Sequence, residues 1–482
     1  MGNYGIEKAV EVVVFNMERM GKWMESVSKS KIRVNDTANA SEIKGLKKEI
    51  GLFEAIAIVI GVVIGSGIFF KASFVFKNAG SPMMGILAWI AGGVITMASG
   101  LTIAEIATAI PKTGGVFVYL KELYGEKWAF LFGWVQSVIY VPGAAAALAI
   151  VFATQATSFV PLNDLQQKLL AVAMILIIMI SNVLSTRLGS KVQFISTIGK
   201  LIPIFIIIGY GLTKGTAQGI MGTTTSVGTI TGFGTAILGT LWAYDGWVGV
   251  GNIAGELKNP KKDLPKSIII GVTMIIAVYV LINLAIIQVI PVEEVIASSK
   301  PASDAATILF GNGGAALISA GILISIFGAL NGYLLTGVRI PFAMAQDGLM
   351  PYASFFGKIN EKYQTPLNAF ALEVVLACIY VFSGSFEMLT NLVTFILWIF
   401  FTMAVAGVFI LRKKHKHIER PYQVPLYPIV PMVGIIGGLY IIVNTLFTDT
   451  SNALYGLAIT AIGLPVYIYI SKRNKMIKTF TK

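Results

Sequence analysis

The chain is predicted to be an all-α integral membrane protein of twelve transmembrane helices: a five-plus-five inverted repeat with helices 1 and 6 broken, plus two C-terminal helices. Three observations predict this. First, 55% of the 482 residues are hydrophobic and only 13% are charged, with mean hydropathy +0.77, against roughly 25% charged residues in a soluble domain. Second, apolar runs of about 20 residues, the length that crosses a hydrocarbon core, recur from Leu52 to Ile470. Third, two runs are interrupted in the middle, one by Ile64-Gly65-Ser66-Gly67-Ile68-Phe69 and the other by Trp242-Ala243-Tyr244-Asp245-Gly246-Trp247. The second break comes five spans after the first, the arithmetic of a five-plus-five inverted repeat.

The first six spans have cores at Leu52 to Phe70, Pro82 to Ile110, Trp128 to Phe159, Leu169 to Ser185, Val192 to Leu212 and Phe233 to Ala254. The second six run from Ser267 to Ile290, Ala315 to Ala345, Leu367 to Phe382, Phe386 to Leu411, Ile429 to Leu446 and Asn452 to Ile470. The expected division is a tail at 1–50, a first repeat at 51–213, a second at 214–412, two further helices at 413–472 and a tail at 473–482. In the first tail Ile6, Val10, Val13, Val14, Met17, Met20 and Met24 recur at helical spacing without an uninterrupted apolar core or cleavage site. A signal peptide is not expected on that pattern; an interfacial amphipathic helix and a loosely ordered extension from a misassigned start are the two readings, with Asn35 to Lys48 as linker.

Cations set the orientation. One set of connecting segments carries Lys112, Lys121, Lys127, Arg187, Lys191, Lys258, Lys261, Lys262, Lys266, Lys358, Lys362 and the run Arg412 to Arg420. The other carries only scattered cations such as Lys71, Lys77, Lys168, Lys214 and Lys300. The richer set is expected in the cytoplasm, which places both termini there and the protein, multi-pass, in the cell membrane. The net charge of +13 needs no nucleic acid, since no soluble basic domain carries it. The sole cysteine, Cys378, lies in an apolar run, and the two histidines sit in the Arg412 to Arg420 run. A metal site or a Cys-His nucleophile has almost no material, so no metal, cofactor or enzymatic activity is expected. A channel would need rings of charge or carbonyl along a pore.

A break frees backbone groups where no water can satisfy them, so irregular backbone at that depth lines a cavity or is buried in protein. Two breaks at corresponding positions point to a secondary transporter's substrate site. Gly65-Ser66-Gly67 starts a second half-helix whose amides, with the positive end of the helix dipole behind them, suit a carboxylate. Glycine admits a ligand close to the backbone, and Ser66 adds a hydroxyl donor. The first half-helices end near Val63 and Ile64 and near Trp242 and Ala243, where free carbonyls suit an ammonium. A site with both ends suits a zwitterion, of which an α-amino acid is the smallest common one. Packing by small residues is the alternative reading of the glycines.

The run Gly65 to Phe69, Ala104-Glu105-Ile106 with Pro111-Lys112-Thr113-Gly114-Gly115 and Tyr119, and Ala243 to Trp247 through Glu256-Leu257-Lys258-Asn259-Pro260 to Leu264-Pro265 resemble the amino acid-polyamine-organocation superfamily. Phe327-Gly328-Ala329-Leu330-Asn331-Gly332 to Arg339, then Ala345-Gln346-Asp347-Gly348 and Pro351, resemble its L-type amino acid transporter branch. The resemblance covers Gly51 to about Lys475 and implies the leucine-transporter-like fold.

It also implies roles. Trp242 stands where that branch has an aromatic gate, and Trp398 resembles a second pocket-facing aromatic, with core packing as the other reading. Asp245 caps the following half-helix or faces substrate, and Glu105 makes a structural or gating contact. Lys200 lies about 12 Å into the fifth span, where a lysine costs roughly 2.5 to 3.5 kcal/mol. It resembles the branch's fifth-span lysine, which stands where sodium-coupled relatives bind sodium; carbonyls near Val63 or Ile64 and the Ser325 hydroxyl are its expected partners. The function expected is alternating-access transport of neutral L-amino acids, with sodium-independent exchange favoured by the resemblance. Proton-coupled amino acid or polyamine symport and a non-transporting amino acid sensor are the rivals. The expected partners are the amino acid and the lipid bilayer; an accessory subunit is left open.

Overall fold

The computed structural model describes residues 51–480 apart from 111–113, 185, 218, 222–228, 249–256 and 364. The readings of the N-terminal tail, of Pro111-Lys112-Thr113 and of Glu256 therefore lie outside the described residues.

The first crossing is two helices, α1 (Leu52–Val63) and α2 (Gly67–Ala79), of 12 and 13 residues. At 1.5 Å per residue they rise roughly 18 and 20 Å, so neither alone spans a core about 30 Å thick and together they do. Gly80, at φ 77°, ends α2 in the left-handed conformation glycine permits. Ser81 then caps α3 (Pro82–Ala109), its hydroxyl accepting the Met84 amide at 3.3 Å, with Pro82 in the first turn.

A short α4 (Gly115–Tyr124) leads to the third crossing, formed by α5 (Glu126–Val135), a π-helical turn at Gln136–Tyr140 and α6 (Val141–Ala156). Pro142 has no amide hydrogen, which deprives the Val138 carbonyl of its helical donor. The Tyr380 hydroxyl takes its place at 2.7 Å. The π turn aims Gln136 and Tyr140 at the central cavity, a common use of such turns.

The fourth and fifth crossings are α7 (Asp164–Leu184) and α8 (Thr186–Lys214). The sixth begins as α9 (Ile230–Ala243), only 14 residues long, and turns out of the helix at Tyr244 to Val248. The seventh is α10 (Pro260–Val289). After α11 (Val292–Ala297), α12 (Pro301–Gly337) begins 14 residues before the expected eighth core at Ala315, and bends at Gly311, φ 66°. Its first part is tied to the end of α6: Gln155 donates to Ser303 at 2.8 Å, and Lys300 reaches the Thr157 and Ser158 hydroxyls at 3.2 and 3.1 Å. Then come α13 (Arg339–Gln346), α14 (Ala353–Phe356), α15 (Leu367–Ser383), α16 (Phe386–Lys414), α17 (Ile429–Thr448) and α18 (Thr450–Phe480).

Among the described residues eight helices are long and apolar enough to cross a bilayer, and α9, α15 and the start of α1 are shorter apolar helices. These eight, the fifth crossing α8, the ninth crossing α15 and the two broken crossings make up the twelve-helix, leucine-transporter-like fold. Close contacts set the centre. A Cβ on Gly328 would lie 2.1 Å from the Ser196 Cβ, so glycine lets α12 press on α8 one turn from Lys200. At the end rich in Lys and Arg, the buried Glu105 carboxylate accepts Arg412 Nε and Nη2 at 2.8 and 2.7 Å and the Val424 amide at 2.7 Å. Glu105 thus ties α3 to α16 and to the segment before α17.

One assignment changes. Lys71, counted among the solvent-facing cations of the other end, is 0% exposed inside α2.

Candidate substrate site

The α1 helix stops because Ile64 turns extended, at ψ 100°. In the helix that restarts, Phe69 is the first residue whose amide meets a carbonyl, that of Ser66 at 3.0 Å. The amides of Ser66, Gly67 and Ile68 meet no acceptor among the described residues. They form a donor-rich helix start at mid-bundle, whose geometry and dipole suit an anion.

The carbonyls freed at the other side of the break have partners. Lys200, 6% exposed, donates to the carbonyls of both Gly61 and Ile64. The Tyr279 hydroxyl, fully buried, contacts the Ala243 carbonyl at 2.7 Å and the Val63 carbonyl at 3.2 Å. It carries a single proton and thereby joins the two breaks through one atom. The Trp242 carbonyl accepts the Asp245 amide at 3.2 Å. The ends expected to be open for an ammonium are thus each already in one hydrogen-bond contact, and each carbonyl keeps a second lone pair.

At the second break Gly246 adopts φ 99°, a conformation glycine enters without strain. Asp245 turns its carboxylate into the cavity, where Oδ2 accepts the Tyr140 and Tyr333 hydroxyls at 2.7 and 2.8 Å. Trp242 stacks on Tyr333 with centroids 6.4 Å apart and planes 11° apart, and meets Phe386 edge-on at 6.4 Å.

One cavity of about 840 Å³ takes in both breaks, within the roughly 300 to 1,000 Å³ of small-molecule sites. Val63, Ile64, Gly65, Ser66, Gly67, Trp242, Ala243, Asp245, Lys200 and Ser325 all line it. Its walls continue to Gly114 and Phe117 and to Arg339 and Asp347, at the basic end. Gly114, Thr336 and Arg339 are exposed there, whereas Leu148, Trp242 and Ser325 are buried, so the mouth faces the basic end and the Trp242–Tyr333 stack belongs to the closed part of the wall.

Three expected residues sit differently. Ile68 is fully buried and off the cavity wall. Trp398 packs on Trp247 at 6.4 Å and on Phe401 at 6.1 Å, and Phe401 rather than Trp398 supplies the α16 part of the wall. Ser325 shares the wall with Lys200, but its buried hydroxyl has no hydrogen-bond partner, because both backbone carbonyls hold the ammonium on the α1 side. The glycines also divide in role. A Cβ on Gly67 would lie 2.7 Å from both Ala243 Cα and Cβ, whereas one on Gly65 would meet nothing nearer than the Val63 carbonyl at 3.8 Å. Gly67 packs the two breaks together, and Gly65 keeps space open.

Sequence reasoning missed Tyr140, Tyr333 and Tyr279. A tyrosine in mid-span needs a partner for its hydroxyl, a signal that all three carried.

Two broken helices enclosing a donor-rich helix start and a set of shared carbonyls define a secondary transporter of the leucine-transporter-like class. Residues 50–469 match the amino acid permease family. The chain is 42% identical over 435 residues to the serine/threonine exchanger SteT of Bacillus subtilis, covering 90% of this chain and 99% of that one. It is 32% identical to the b(0,+)-type amino acid transporter 1 of Mus musculus over 92% of this chain and 93% of that one. The large neutral amino acids transporter small subunit 2 of the same organism is 31% identical, with 91% and 84% covered. The chain belongs to the amino acid permease family, in the L-type branch of the amino acid-polyamine-organocation superfamily.

Proposed function

We propose that the chain exchanges neutral L-amino acids across the cell membrane by alternating access, without sodium. The observation that carries this is the pair of unpaired amides at Ser66 and Gly67, on the wall of the same cavity as the half-helix carbonyls, with that of Ile68 behind them. A zwitterion's two charges fit these two ends. Lys200 supports the sodium independence, since its ammonium takes up the Gly61 and Ile64 carbonyls that a bound cation would need.

The basic end is the cytoplasmic one in this reading, with both termini on that side, so the cavity is described facing inward. Residues 51–213 and 214–412 are the two repeats, the first break in one and the second in the other. Substrate carboxylate meets the α2 amides, its ammonium meets the carbonyls of Val63 and Ala243, and its side chain lies toward Tyr140, Asp245 and Tyr333. Trp242 covers it from the outer side. No accessory subunit is invoked.

Proteoliposomes test this. Uptake of a labelled neutral amino acid is expected only when unlabelled amino acid is inside, and sodium is expected to change nothing. Accumulation into empty liposomes under an imposed pH gradient would transfer the reading to proton symport, with Asp245, the carboxylate beside the second break, as the proton carrier. Binding without flux would make the protein a sensor.

A further inference from the structure

Lys71 lies one helical turn beyond Gly67 on α2, about 6 Å along the axis, and is 0% exposed. Its ammonium reaches one polar atom, Asn391 Oδ1 of α16, at 3.4 Å. It otherwise faces rings, 4.4 Å from the centroid of Phe74 and 5.2 Å from that of Phe386. The Glu387 carboxylate, one turn before Asn391 on α16, acts on it through space, but among the described residues no carboxylate comes within ion-pair distance of it. Lys200 is equally interior but has two backbone carbonyls. One long hydrogen bond and two ring faces offset only part of the cost of drying an ammonium. An under-partnered charge within a membrane bundle marks a substrate path.

Its surroundings place it on such a path. Phe386 packs edge-on against Phe70 at 6.2 Å and against Trp242 at 6.4 Å. A single ring therefore separates the ammonium from Trp242, on the side of the cavity that is closed here. Exchange requires that side to open in turn, which moves Trp242 and Phe386 off the cavity and uncovers Lys71 above the α2 amides. We propose that Lys71, with Asn391, is the docking site for the carboxylate of an amino acid arriving from the closed side. The carboxylate then passes one turn along α2 to the amides of Ser66, Gly67 and Ile68. This rests on the exchange reading and adds to it a second, one-sided binding step.

Sidedness is the test. Exchange of labelled L-serine is measured in right-side-out and inverted membrane vesicles carrying the full chain, so that each face receives substrate in turn. Lys71→Gln is expected to raise KM about tenfold for substrate on the closed face and to leave KM on the cavity-mouth face within about twofold; Lys71→Arg is expected to restore most of the loss. Asn391→Asp gives Lys71 a permanent internal carboxylate and is expected to raise KM on the same face, which carries the test alone if Lys71→Gln does not insert. Equal KM changes on both faces, or none on either, overturn the docking site. Wild-type vesicles that show no exchange overturn the functional reading instead.

Discussion

At the first break the chain meets its freed backbone with side chains from other helices. Lys200 takes the carbonyls of Gly61 and Ile64, Tyr279 takes that of Val63, and the amides of Ser66 to Ile68 are left unpaired. At the second break the interrupted segment supplies side chains of its own. Trp242 closes the cavity, and Asp245 enters it to bind Tyr140 and Tyr333. In the proposed exchange site the first break presents backbone to groups that every α-amino acid carries, whereas the second presents side chains to the part that differs between substrates. Changes at the first break should abolish or slow exchange of all substrates together. Changes at the second should alter the order of preference.

The largest effect is expected where the breaks touch. Gly67→Ala places a methyl 2.7 Å from the Ala243 backbone and should cut exchange flux at least about a hundredfold, since misplacement on the ångström scale costs that much in a site that works by orientation. Gly65→Ala has room, so the protein should insert normally while equilibrium binding weakens about tenfold, the methyl taking space that the substrate needs. Wild-type flux in Gly67→Ala would mean the two breaks need not pack.

Next comes Lys200→Ala. It leaves two buried carbonyls unpaired, each costing about 1 to 3 kcal/mol, and should slow exchange tenfold or more. Because it empties no part of the side-chain pocket, the ranking of competing amino acids should stay as in wild type; a reordered ranking would break the division of labour between the breaks.

Tyr279→Phe removes the one proton shared by Val63 and Ala243. At about 1 kcal/mol for a neutral hydrogen bond, flux should fall roughly fivefold, again without reordering substrates. The smallest effect belongs to Trp398→Phe. Since Trp398 packs behind Phe401, KM and ranking should stay within about twofold, as for a volume-reducing change in a packed layer; a changed ranking would return Trp398 to the pocket.

The broken helices were legible in the sequence because Gly65-Ser66-Gly67 and Asp245-Gly246 interrupt otherwise continuous apolar runs, and backbone chemistry follows from a break wherever it lies. Lys200 was legible for a similar reason: its depth is countable from the start of its span, and a deep lysine demands acceptors. What a side chain meets on a neighbouring helix is not written locally. Trp398 and Phe401 stand one turn apart on α16, and helical period alone does not say which turn reaches the cavity. Lys71 follows Phe70, where an apolar count ends the span, and only the packing of α2 against α16 makes it interior. Tyr279 and the Tyr140–Tyr333 pair likewise acquire their partners only when the bundle assembles.

The most direct measurement is equilibrium binding of an amino acid and of its methyl ester to the purified protein. If the substrate carboxylate sits on the amides of Ser66, Gly67 and Ile68, the ester loses the negative charge those donors and the helix dipole select. Its affinity should then fall by about a hundredfold or more, a charge-assisted contact being worth about 1.5 to 3 kcal/mol and the loss of its anion exposing further unpaired donors. An ester that binds as tightly as the free acid would contradict a carboxylate at the first break.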